Sequence, residues 1–179
     1  TIVGDPQWPT ESLRKALELK PDYLDAQRGL ILVRLNDKNF DGALATAREV
    51  QQQRPQDAVG WLMAGDIEAS RQGWPAAAAA YQQAFKLAPV AAVAVKVHAA
   101  LQQAGNAKEA EQFAQTWQAK QPKDVVFPMY LAERDLAAKD YPAAEKRLQM
   151  VLKTQPDNAV ALNNLAWAEL QLKRNDDAL

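Results

Sequence analysis

The sequence predicts an all-α fold built as a helical-repeat solenoid, and three observations carry that expectation. Prolines recur at Pro21, Pro55, Pro89, Pro122 and Pro156, at steps of 34, 34, 33 and 34 residues. Each interval divides into two helix-length stretches with apolar residues at helical spacing. Nearly half the residues are apolar and alanine is heavily used, a composition that suits closely packed helices. A fixed period of this length marks a repeat architecture. In such a fold each hairpin leaves an apolar face that only the next hairpin can cover.

The elements follow in order along the period. A first helix begins just after each proline, often beside an acid or amide: Asp22, Asp57, Asp124, and Asp157 with Asn158. These side chains can cap the free N–H groups of a new helix. A second helix begins near Phe40, Trp74, Ala107 and Tyr141, with Pro75 and Pro142 in the first turn, where a missing N–H costs little. The next proline ends it, because the residue before a proline is pushed out of helical geometry. The boundaries expected are a half repeat at 8–21, full repeats at 24–55, 58–89, 91–122 and 125–156, and a partial repeat at 159–179, all in a single array. The first stretch reads as the second helix of a repeat. The last residues, Asn175 to Leu179, read as the opening of another helix. The expectation is a segment of a longer protein, with any export signal or anchor outside it.

Small residues at Gly65, Ala132, Ala166, Ala43, Ala77, Ala110 and Ala144 are expected to let helices approach closely. Phe40, Trp74, Tyr81, Tyr141 and Leu148 are expected to fill the space between them. The alanine run at 76–80 reads as helix because Trp74, Tyr81 and Phe85 supply packing partners. Three departures stand out. Pro128 should make its helix start late or bend. His98 occupies a position that favours a small residue, which should loosen packing. The 33-residue step between Pro89 and Pro122 should shorten one turn. Together they mark the third repeat, and its junction with the fourth, as the expected place for altered superhelical curvature.

The second full repeat carries Trp61, Ala64, Gly65, Ala77, Tyr81, Ala84 and Pro89, and the others follow with substitutions. This resembles the tetratricopeptide repeat, whose pattern is W-x2-L-G-x2-Y, then A-x3-F, then P. The resemblance implies a right-handed superhelical solenoid of helix-turn-helix repeats. The first helix of each repeat would line a concave groove that holds a protein or peptide. Carried over by register, the groove residues are Arg28, Leu32, Leu62, Asp66, Gln102, Met129, Glu133, Asn163 and Trp167, with Leu35 and Val59 among the further lining positions. Leu32, Leu62, Met129 and Trp167 would bury apolar surface, and Arg28, Asp66, Glu133 and Asn163 would orient the partner. Trp167 fits equally well as a residue packed against a following repeat. Chaperone-binding relatives grip a terminal carboxylate with lysine, arginine and asparagine. The matching places here hold Arg28, Leu32, Met63, Ala92 and Lys96, so that clamp is not expected.

A narrower likeness rests on residues 158–167, N-A-V-A-L-N-N-L-A-W, on 95–105, on Trp117 with Gln121-Pro122, and on 130–133. These stretches resemble the tetratricopeptide lipoproteins linked to PEP-CTERM/exosortase and exopolysaccharide systems of Gram-negative bacteria. That resemblance implies a periplasmic scaffold, tethered to the outer membrane by a lipid anchor outside this segment. The alternatives are a self-associating structural module, or a cytoplasmic adaptor or co-chaperone-like protein.

Composition weighs against several other classes. With 21 basic and 22 acidic residues the net charge is −1, and there is no basic stripe for a phosphate backbone, so nucleic acid is not an expected partner. No apolar run approaches the roughly 20 residues of a membrane span. Cysteine is absent, excluding disulfides and thiolate metal sites. His98, the single histidine, reads as a residue at a packing seam rather than a general base. No glycine loop for phosphate and no metal-ligand set is evident, so neither catalysis, a cofactor nor a metal is expected. Carbohydrate binding would need stacked aromatics, and Trp167 is the one candidate.

Overall fold

The structure, a computed structural model, describes residues 10–176, and side chains as far as Lys173. Within that range there are ten helices and no strands. They are α1 (Thr10–Leu19), α2 (Leu24–Asn36), α3 (Phe40–Gln53), α4 (Val59–Ser70), α5 (Trp74–Leu87), α6 (Ala91–Gln103), α7 (Ala107–Lys120), α8 (Val126–Ala137), α9 (Tyr141–Thr154) and α10 (Ala159–Asp176). The fold class is the expected all-α helical-repeat solenoid. The second helices start at the predicted Phe40, Trp74, Ala107 and Tyr141. None of the described helices is long and apolar enough to cross a membrane. The described residues form two compact units, divided between Ala110 and Glu111 inside α7.

In the first unit, α1 to α6 pack in chain order, each against the next. Its core is a band of Ile31, Ala43, Leu44, Ala47, Val50, Met63, Ala64, Ile67 and Ala80, drawn from α2 to α5. A second cluster joins Ala58, Ala84 and Val93, with Trp61, Leu62 and Phe85 packed around it. Alanines of the 76–80 run supply the buried face of α5 at Ala77, Ala78 and Ala80. His98 is buried on α6, at 3% exposure. In the second unit α8 packs on α9 and α9 on α10, around Ala132, Leu148, Val151 and Ala161. Phe127 is fully buried there, in edge and tilted contact with Phe113, Trp117 and Tyr130.

Side-chain caps mark the starts of three of the first helices, α4, α8 and α10. Asp57 accepts from the Val59 N–H at 2.9 Å, and Asn158 accepts from Ala161 at 3.0 Å. Asp124 works hardest: one carboxylate oxygen accepts from Val126, and the other from Phe127 and from the Trp117 indole at 2.7 Å. Asp22 does not share this role: unlike Asp57 and Asp124 it stands before a cap residue, Tyr23, without its carboxylate accepting from any N–H of the new helix. Pro128 does not delay its helix either. α8 opens at Val126, four residues after Pro122, as α4 opens at Val59, four after Pro55. Pro128 sits third in the helix, where its absent N–H would have no intrahelical acceptor anyway. The shortened step is real: only Ala88, Pro89 and Val90 separate α5 from α6.

Two expectations fail at the C-terminal end. α10 continues unbroken to Asp176, so Asn175 and Asp176 extend it rather than open another helix, and Asp177 to Leu179 lie outside the described residues. No left-handed turn residue or glycine interrupts this stretch as it does in the earlier repeats. Ala166 is exposed, not packed. Its register equivalents Gly65 and Ala132 lie against a following second helix, and no described helix follows α10.

The turns between first and second helices share one geometry. Lys38, Gln72, Gly105 and Lys139 have φ of 56, 62, 80 and 61°. The next residue's N–H bonds back five positions, Asn39 to Arg34, Gly73 to Glu68, Asn106 to Leu101 and Asp140 to Asp135. This is a Schellman closure, which favours glycine at the left-handed position. Only Gly105 is glycine, so three turns carry a side chain in a costly conformation. Lys38→Gly, Gln72→Gly and Lys139→Gly should each stabilise their unit by about 0.5–1 kcal/mol. Chemical denaturation of the single variants checks this, and an unchanged or lowered midpoint would contradict it.

Candidate functional site

Most helices in a globular protein bury one face. α2 and α4 are apolar on two. One face of α2 is buried through Ala26, Gly29 and Leu30, while Ile31 and Leu35 belong both to the α2–α5 core band and to the cavity lining, with Leu32 exposed beside them. On α4 the stripe Val59, Leu62, Met63, Asp66 and Ile67 follows the same helical spacing. The two stripes, joined by Arg28 and by Lys96 of α6, line a cavity of about 420 Å³ within the first unit. Ile31, Met63 and Ile67 form its buried floor. Leu62, Leu35 and Val59 are half-buried on its walls, and Leu32 is 61% exposed at the rim. An exposed leucine beside a concave apolar floor is a pairing common at interaction surfaces.

One polar cluster fixes the wall between α4 and α6. The Tyr81 hydroxyl of α5 donates to Asp66 Oδ1 at 2.6 Å, and Lys96 Nζ reaches the same oxygen at 2.6 Å. Lys96 also lies over the Tyr81 ring, 5.2 Å from its centroid. The ring can lie there because residue 65 is glycine: a Cβ on Gly65 would stand 2.3 Å from Tyr81 Cε1. Burial, then donation to Asp66 and its negative charge, hold the Tyr81 hydroxyl protonated well above the ordinary tyrosine range. Lys96 is thus matched by Asp66, whereas Arg28 is exposed and forms no ion pair with any described residue.

Of the residues expected in the groove, the structure brings Arg28, Leu32, Leu62 and Asp66 together, with Leu35 and Val59 beside them. Gln102 is half-buried on α6 and does not line this cavity. The remaining four lie in the second unit. Met129 on α8 packs partly against the Ala132, Leu148, Val151 and Ala161 core, so much of its surface is already used. Glu133 and Asn163 are exposed, and Trp167 is 51% exposed on α10. Ile31, Met63, Ile67 and Lys96 were not among the expected groove residues, although Met63 and Lys96 stand at places matching the terminal-carboxylate clamp. The signal for the first three was present as a second apolar stripe on helices that already had a core face. Lys96, on α6, lies close enough to reach Asp66. Among the described residues no group of three or more His, Cys, Asp or Glu side chains is placed to hold a metal.

Two outcomes follow from the Tyr81 cluster. Gly65→Ala should cost about 1–3 kcal/mol by displacing the buried ring, and should loosen the cavity wall. Thermal melting reads the cost, and a neutral change would show that the ring has somewhere to go. The pH effect has a definite sign. Folded Tyr81 keeps its proton, whereas the unfolded chain releases it above about pH 10. Its contribution is therefore complete below that pH and declines as pH rises beyond it. Tyr81→Phe should flatten this decline in denaturation curves taken across the alkaline range. An equally steep decline in the variant would place its cause elsewhere.

The sequence profile described as tetratricopeptide repeat matches residues 11–58 and 131–179, more than half the chain. No curated protein matches by sequence. Several solved structures share the fold. A tetratricopeptide protein of Thermus thermophilus aligns with a TM-score of 0.60 at 16% identity, over 90% of this chain and 89% of its own. The pilF protein of Pseudomonas aeruginosa aligns with a TM-score of 0.58 at 19% identity, over 92% of this chain and 83% of its own. YrrB, a tetratricopeptide protein described as having an unusual peptide-binding site, aligns with a TM-score of 0.54 at 16% identity, over 95% of this chain and 88% of its own. With the repeat period, the matched turns and the profile in agreement, the chain belongs to the tetratricopeptide repeat family.

Proposed function

We propose that the chain is a protein-interaction scaffold that holds a polypeptide segment in the cavity between α2, α4 and α6. The observation that carries the reading is the pairing of a concave apolar floor with a 61% exposed Leu32 at its rim. Tetratricopeptide repeats typically bind protein or peptide partners, and a volume of about 420 Å³ accommodates a few side chains. The favoured setting is the envelope of a Gram-negative bacterium, in polymer export or protein sorting and facing the periplasm. Its support is the likeness of residues 95–105, 130–133 and 158–167 to the PEP-CTERM-associated lipoproteins. Localisation of the native full-length protein by cell fractionation tests this setting, and a cytoplasmic pool alone would overturn it.

The binding reading is tested by selecting from a random-peptide display library on the wild-type chain and on Leu32→Ser. Leu32 is exposed, so the variant should fold normally. Peptides enriched on the wild type should bind the variant about tenfold more weakly, the loss expected when a leucine no longer buries its surface. Equal affinity for both would remove the cavity as the binding site. A second reading, self-association, draws on α10, where Val160, Leu162, Trp167 and Leu170 are between 43 and 56% exposed. Sedimentation of the chain over a range of concentrations should show reversible dimers under that reading, and a Trp167→Ser variant should shift them to monomer. A monomer throughout would exclude it.

A further inference from the structure

The charge at the cavity selects among peptides. Two cations and one anion line it, Arg28, Lys96 and Asp66. The Asp66 carboxylate is engaged on one oxygen by both Lys96 and Tyr81, so the Lys96 charge is met inside the protein. The other arginine of α2, Arg34, is turned inward and donates to the Gly42 carbonyl and the Thr46 hydroxyl. Arg28 alone is left as an exposed, unpaired charge beside an apolar floor. A cation in that position favours a negatively charged neighbour and penalises a positive one.

The geometry points to an acidic, apolar peptide segment as the occupant: a carboxylate side chain on Arg28, with an adjoining apolar side chain against Leu32 at the rim and the floor formed by Ile31, Met63 and Ile67. This rests on the binding reading above and adds the chemistry of the partner to it. The carboxylate belongs to a side chain, since the asparagines that grip a chain terminus are missing at the corresponding places. Arg28 supplies the fork of donors that fits a carboxylate, and the pre-formed Asp66–Lys96 pair keeps the opposite wall electrically neutral.

Three short fluorescein-labelled peptides separate the possibilities by anisotropy: one of leucines and aspartates, one with lysine in place of each aspartate, and one with serine in place of each leucine. On the wild-type chain the first should bind about tenfold tighter than the second, and the third should bind weakest. On Arg28→Glu the order of the first two should invert, because the site's one unmet charge has changed sign. Arg28 is exposed, and circular dichroism checks that the variant is folded. If the aspartate and lysine peptides bind equally, or lysine is preferred, while Leu32→Ser still weakens both, the cavity holds peptide but its acidic preference is refuted. If no leucine-containing peptide binds, or Leu32→Ser changes nothing, the binding reading fails and the preference fails with it.

Discussion

The closeness of α4 to α5 at Gly65 is the constraint on which the site depends. With no side chain at residue 65, the Tyr81 ring packs closely on α4 there and its hydroxyl reaches Asp66. That bond fixes Asp66, Asp66 fixes Lys96 on the next first helix, and one wall of the cavity is held. A methyl group on residue 65 would enter the ring. The whole chain of contacts therefore follows from one missing Cβ. Elsewhere the same seam is filled the other way. At the register of Gly65 stands Ile31, and at that of Tyr81 stands Ala47, both in one buried cluster. In the second unit the pair is Ala132 and Leu148. What the seam requires is a constant summed volume, divided between the helices differently in each repeat.

That rule explains what could and could not be read in advance. Period, helix starts and stops, and the caps at Asp57, Asp124 and Asn158 were legible because each is set within a few residues of chain. Proline and aspartate act on their own backbone neighbourhood. His98 was harder, because a position called small by pattern is small only when its partner across the seam is large. Ile31 shows that such a position takes a bulky residue without exposure. Asp22 and Pro128 were over-read for a related reason: a capping residue or a proline in the first turn is permitted there without determining the boundary. Nothing local marked the end of α10, which runs past the point where earlier first helices turn.

The site was half legible. Register alone placed Arg28, Leu32, Leu62 and Asp66 on one surface, and these do line the cavity. The floor residues did not stand out separately, since Ile31, Met63 and Ile67 are also core residues, and a residue between two faces patterns with the buried one. The link from Tyr81 through Asp66 to Lys96 joins three helices. No spacing within a single repeat announces it. The same distinction sets the value of the groove positions. Leu32 and Arg28 have little else to hold in place, whereas Met129 helps to build a core, so its substitution would confuse binding with folding.

The central claim is that apolar surface on α2 and α4 is reserved for a polypeptide. Methyl-labelled NMR spectra recorded while a selected peptide is added test this most directly. The account predicts that shifts concentrate on Ile31, Leu32, Leu62 and Met63, with little change at Leu162 and Leu170 of α10. Perturbation confined to the α10 leucines, or spread evenly over the chain, would contradict it.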